Sequence, residues 1–219
     1  MFKIEFYIDR AGNEPIVDYM RELNDKALTS KEHRVRHKKI IEYLEVLSHY
    51  GVRAGEPYVK HISGDIWELR PTNDRIFFFY WKDETYLMVH HFIKKLRRRL
   101  TEKSSRQSAI LLTSWKGVTM MSKRTSWDDL KKEMTALPKD DWDEIDLKVR
   151  IIGEIINARR DGHLTQQALE RLCGVKQPML ARIESGDTDP QLGTVLKILR
   201  PLGKTLAVVD MPSSAVDAR

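Results

Sequence analysis

The apolar positions of this chain fall into two periods, one for each half. Between residues 3 and 8, Ile4, Phe6 and Ile8 alternate with Lys3, Glu5 and Tyr7, the two-residue period of a half-buried strand, and Gly12-Asn13 then turns the chain. Two helices are predicted next. Pro15 suits a first helical turn, Ile16, Tyr19, Met20 and Leu23 form one apolar stripe, and Val35, Ile40, Ile41, Leu44 and Leu47 form a second that stops before Gly51. Strand patterning returns over residues 58–63, 66–71, 75–81 and 86–92, with polar turns at 63–65, 72–74 and 82–84. The predicted order is β-α-α-β-β-β-β, an α+β body with a mainly antiparallel sheet. Trp67, Phe77 and Phe79 fall on its apolar strands and are assigned to the core rather than to base stacking.

Past residue 122 the period is helical. Ser126 can cap a helix with Asp129 three residues on, and Trp127, Leu130 and Met134 form its stripe. The acidic run Asp140, Asp141, Asp143, Glu144 and Asp146 either faces the basic first half or opens a solvated helix. Leu164-Thr165-Gln166-Gln167, Gly174-Val175-Lys176-Gln177-Pro178 and Arg182-Ile183-Glu184-Ser185-Gly186 are spaced for two short helices at a sharp angle. Gly174 sits in the turn, and Leu169, Val175, Leu180 and Ile183 anchor the pair. An ordinary α-hairpin would have to reproduce turn glycine, anchors and polar face by coincidence. The helix-turn-helix reading leaves Lys176, Gln177 and Arg182 for a DNA groove, with Gln166 and Lys176 suited to phosphates and Gln177 and Arg182 to base edges. Asp189-Pro190 and residues 194–202 signal a further helix, and residues 205–209 a short strand.

Composition adds a division. At 219 residues the chain is long enough for two cores. The segments read as 1–95, an atypical linker 96–121, an arm 122–146 and an all-α domain 147–211. Residues 1–121 hold 22 Lys/Arg against 16 Asp/Glu and the remainder 16 against 16, so the whole +6 lies in the first half and suggests a polyanionic partner. The single cysteine, Cys173, excludes an internal disulfide. With no signal-peptide pattern and no apolar run of about 20 residues, a cytoplasmic protein without membrane contact is expected. His33 and His37 lie four apart on a predicted helix without a third ligand, so they are taken as surface decoration, and no metal or cofactor is expected.

Two resemblances follow from these motifs. The run from about Ile151 through Gly203 resembles the Xre/Cro-type repressor domain of antitoxins of the HigA kind, with Glu170 and Cys173 standing where that pattern has a small residue and a leucine. Residues 2–95 are similar to the HigB-like, phage-derived branch of the RelE/ParE toxin superfamily. The resemblance is carried by Tyr58-Val59-Lys60-His61-Ile62, Ile66-Trp67-Glu68-Leu69-Arg70, Arg75-Ile76-Phe77-Phe78-Phe79 and His90-His91-Phe92-Ile93-Lys94-Lys95. Residues 96–119 do not resemble that family. A reading frame restored by one extra nucleotide would give its "T-x-K-T-P" ending, so a frameshifted toxin C-terminus is expected there.

The resemblance implies a toxin–antitoxin fusion with a RelE-like sheet: a ribosome-dependent, metal-independent mRNA endonuclease, neutralised by an antitoxin half that binds operator DNA and autorepresses. Its partners would be ribosome and mRNA, operator DNA, the other half within or between chains, and a second copy. Attack of a ribose 2′-hydroxyl on the adjacent phosphate needs a base, a charge clamp and an acid. Arg70 with Lys94, supported by Lys60 and Arg75, is the expected clamp, and His90 or Tyr80 the proton-transfer group. His90 and His91, adjacent in a strand, point to opposite faces, so at most one serves. Two other classes stay open: a gyrase-poisoning member of the superfamily that cleaves nothing, and a purely DNA-binding regulator.

Overall fold

The computed structural model describes residues 1–9, 11–94 and 124–209, which fall into two bodies, residues 1–153 and 154–219. The linker 96–121 and the expected frameshift lie outside the described residues.

In the first body, β1 (Lys3–Phe6) leads to α1 (Pro15–Thr29) and α2 (Lys31–Tyr50). Pro15 stands at the start of α1, and Ser30 caps α2 by accepting the His33 N–H at 3.4 Å. The helix ends at Gly51, whose φ of +58° few other residues adopt. Four strands follow: β2 (Val59–Ser63), β3 (Ile66–Leu69), β4 (Asp74–Tyr80) and β5 (Thr85–Ile93). The sheet order is β1-β5-β4-β3-β2, antiparallel except that β1 joins β5 in parallel, so the predicted element order and mixed α+β class are met.

One face of the sheet carries α1 and α2. Ile40, Ile41, Leu44, Leu47, Phe78 and Met88 are buried there, while Val35, expected in the α2 stripe, is 60% exposed. On the opposite face, Ile66, Phe77, Leu87 and Val89 form a smaller buried cluster flanked by half-buried Tyr7, Ile62, Phe79, Trp81 and Phe92. Trp67 is half-buried against His61. A β-bulge interrupts the β4–β5 ladder: Phe78 pairs with Met88 but Phe77 with His90, which leaves Val89 extra.

The same body takes in the start of the second half. Residues 124–126 run along the outer edge of β1, where Phe6 N–H donates to Thr125 O at 3.1 Å and Glu5 bridges Ser126, so a sheet edge is covered. Then come α3 (Trp127–Glu133) and α4 (Lys139–Asp161). The predicted cap is present, with Ser126 Oγ accepting the Asp129 N–H at 3.1 Å. The boundary between the bodies falls inside α4, which runs unbroken through residues 146 and 147.

The second body holds the end of α4, then α5 (Gln166–Cys173), α6 (Gln177–Glu184), α7 (Leu192–Leu199) and a 3-10 turn, Arg200–Leu202. Ile155, Ile156, Leu169, Leu180, Ile183, Val195, Ile198 and Leu199 make its core. Gly174 adopts the left-handed conformation between α5 and α6 that the sequence assigned to it. The strand expected at 205–209 does not form: those residues are exposed, and among the described residues no strand lies beside them to supply a ladder.

Candidate functional site

The face of the sheet away from the helices gathers most of the basic residues singled out by sequence. Cross-strand register sets Lys60 beside Glu68, Glu68 beside Phe77 and Phe77 beside His90, one row over four strands. Arg70 and Arg75 stand at the next position along, Arg75 paired with Phe92, and Lys94 leaves β5 with its N–H on Asn73 O at 2.8 Å. At the centre lies a residue the sequence reading quoted but gave no role. Glu68 is only 3% exposed, with Arg70 Nε 3.4 Å and Arg75 Nε 4.0 Å from its two oxygens, and its Oε1 has no hydrogen-bond partner. Burial pushes the Glu68 carboxyl above the usual carboxylate range, while the charges of Arg75, Arg70, Lys60 and Lys94 pull it back. Burial also lowers the Arg75 guanidinium, which donates to Thr72 O and Asp74 O at 2.9 and 2.6 Å.

The bulge decides which histidine joins this face. Leu87 and Val89 lie on it, and strict alternation would have continued to His91; the extra residue brings His90 round instead. The His90 ring stacks on Phe77 at 6.2 Å and 10°, and burial followed by the neighbouring His91 lowers its pKa. His91 turns to the helices. Its Nε2 lies 2.8 Å from Asp74 Oδ1 and its ring stacks on Tyr19 at 3.8 Å. Asp74, with no exposed surface, also accepts two bonds of 2.6 Å from Arg36 and one of 2.9 Å from Tyr19. These donors hold its carboxyl low against the opposing effect of burial, which is the largest single influence, and they fix the turn that carries Arg75. Tyr80 does not join the group. It sits at the far end of β4, 51% exposed, on the side of Tyr86, with Glu84 N–H donating to its hydroxyl.

Residues 124–153 dock elsewhere on this body. Trp127 is buried and donates its indole N–H to Glu45 at 2.8 Å, and Lys131 reaches the same carboxylate at 3.0 Å. Arg21 grips Glu133 at 2.7 Å, Asn24 accepts the Ala136 N–H, and Lys38 bridges Asp141 and Glu144 at 2.8 and 3.0 Å. Part of the acidic run thus meets basic residues of α2. His37 is wholly buried, not surface decoration, with Nε2 3.2 Å from Met134 Sδ, and desolvation pulls its pKa down to about 4. Among the described residues no group of three His, Cys, Asp or Glu suits a metal ion, and no helix is long and apolar enough to cross a membrane.

In the second body a relay of bonds leads to the recognition helix. Arg159 forks onto buried Glu184 at 2.6 and 2.8 Å; Gln166 donates to Glu184 at 2.9 Å and accepts from the Gln177 side chain at 2.8 Å. Gln177 therefore leaves the start of α6 already oriented. Lys176 and Arg182 are exposed, Lys176 with its Nζ 3.3 Å from Glu170.

The fold and this relay define a helix-turn-helix protein joined to a basic α+β body. Residues 18–110 match the family model described as phage-derived protein Gp49-like, and residues 155–209 the helix-turn-helix model. An uncharacterized HTH-type transcriptional regulator of Haemophilus influenzae (strain Rd) is 44% identical over 87 residues, which are 40% of this chain and 87% of that protein. A solved structure described as a toxin-antitoxin module from Streptococcus pneumoniae is 44% identical, over 42% of this chain and 97% of that one, with a TM-score of 0.35. The chain belongs to the helix-turn-helix transcriptional regulators.

Proposed function

We propose that the chain is a toxin–antitoxin fusion of the HigB/HigA kind: a RelE-like, ribosome-dependent mRNA endonuclease, a docked antitoxin arm and an operator-binding autorepressor. The observation that carries the nuclease reading is the buried, incompletely bonded Glu68 inside a ring of Lys60, Arg70, Arg75 and Lys94. Glu68 takes the proton from the ribose 2′-hydroxyl, whose oxygen attacks the adjacent phosphorus. The four cations stabilise the phosphorane, and His90 protonates the departing 5′ oxygen. Base and acid stand two strand spacings apart, about 10 Å between backbones. These side chains supply all three roles, so the reaction is expected to run in the presence of chelator. The arm rests on α1, α2 and β1, away from the Glu68 row, so neutralisation in this reading acts by bulk against the ribosome.

The test undocks the arm with Trp127→Ala and Leu130→Ala. That chain should cleave mRNA on ribosomes, and adding Glu68→Gln or Arg70→Ala should reduce cleavage by about 10²–10⁴-fold with the fold intact. Absence of cleavage with inhibited DNA supercoiling would assign the gyrase-poisoning class instead; growth arrest by neither route would leave a DNA-binding regulator. Operator binding is assigned to the second body: Gln177→Ala and Arg182→Ala should each weaken a mobility shift by about 1–3 kcal/mol.

A further inference from the structure

The start of the recognition helix already holds an anion of the protein's own. Lys176 is the residue that opens α6 and gives it no side-chain cap; the Gln177 N–H is instead taken by Glu170 Oε2 of α5 at 3.0 Å. The other oxygen, Oε1, lies 3.3 Å from Lys176 Nζ. One carboxylate thus occupies both groups that a helix N-terminus and its adjoining lysine would present to a DNA phosphate. Its surroundings leave it no other role in the core: Leu169 beside it is buried, whereas the Lys176 side chain is 83% exposed and that of Glu170 29%. The Gln177 N–H, then Lys176, keep its carboxyl below the usual glutamate range, so it stays charged at neutral pH.

We propose that Glu170 is an affinity-limiting residue of the DNA reader: it holds the α6 N-terminus and Lys176 in place of a phosphate, and a duplex must displace it or bear its repulsion. The inference rests on the second body being a DNA binder. Because the Gln166 relay fixes the Gln177 side chain independently, removing the charge of Glu170 should leave the base-reading geometry standing.

Glu170→Gln separates charge from cap, since the amide oxygen can still accept the Gln177 N–H. With the full chain and a short mixed-sequence duplex as probe, Glu170→Gln should bind about three- to tenfold tighter at about 0.1 M salt, and its plot of log K against log salt should steepen by about one phosphate contact. Lys176→Ala should abolish the gain that Glu170→Gln confers, so that the double variant binds no tighter than Lys176→Ala alone, while helicity by circular dichroism stays constant. Unchanged affinity and slope, or equal weakening by Glu170→Gln and Glu170→Ala, would overturn the proposal and leave Glu170 a helix cap. A parent chain that binds no duplex at any salt would instead overturn the DNA reading beneath it, and this role with it.

Discussion

His37 shows how much one buried side chain can impose. In the folded chain it is neutral, with a pKa near 4 against 6.5 when free, so between those values the unfolded chain binds the extra proton. Its contribution is therefore complete above about pH 6.5 and is lost as pH falls towards 4, on the order of 3 kcal/mol in all. Denaturation midpoints measured across that window should fall for the parent and fall less for His37→Leu; parallel curves would refute the assignment. Arg159 makes the opposite case. Its partner Glu184 is 1% exposed, so Arg159→Ala strands a buried charge and should destabilise the second body by about 3–5 kcal/mol, whereas Arg159→Met with Glu184→Leu should recover most of the loss in the same urea titration. In the sequence Arg159 has no assigned role and His37 reads as surface decoration, because burial of a polar group is a property of the packed fold. Glu68 escaped for the same reason: in an alternating strand it looks like one more solvated carboxylate.

Elements were more legible than the site. The strand and helix periods, the Ser126 cap and the Gly174 turn all follow from local chemistry that tertiary packing left in place. What periodicity hides is a single added residue: the bulge at Val89 reverses the parity of β5, so the histidine on the basic face is set by a ladder defect no alternation rule reveals. Close approaches are equally silent. Gly153, in the middle of α4, looks like a helix weakness worth about 1 kcal/mol, yet a Cβ there would lie 2.1 Å from the Tyr50 ring. Gly153→Ala should therefore destabilise despite its better helix propensity, and Tyr50→Ala should turn the same change stabilising; a thermal-melt double-mutant cycle reads the sign.

At the scale of the molecule, length, charge and motifs predict two domains and a basic first half. The extent of the first body is not legible there, because residues 124–153 carry a helical pattern like the rest of their half and their partners emerge in contacts such as those of Trp127, Glu133 and Asp141 with Glu45, Arg21 and Lys38. Breaking that docking at Trp127→Ala should raise hydrogen exchange through residues 124–137 while the amides of β3 to β5 stay protected; uniform loss of protection would mean the arm is part of the fold's nucleus.

Because the docked arm and the sheet belong to one polypeptide, their association is a first-order event. A separate arm at nanomolar levels would leave its site as the solution is diluted, but a tethered one meets the site at an effective concentration on the order of millimolar. The fraction of molecules with Trp127 seated should then be the same at every protein concentration, and indole fluorescence across a dilution series would show a flat line where a two-chain pair would show a dissociation curve.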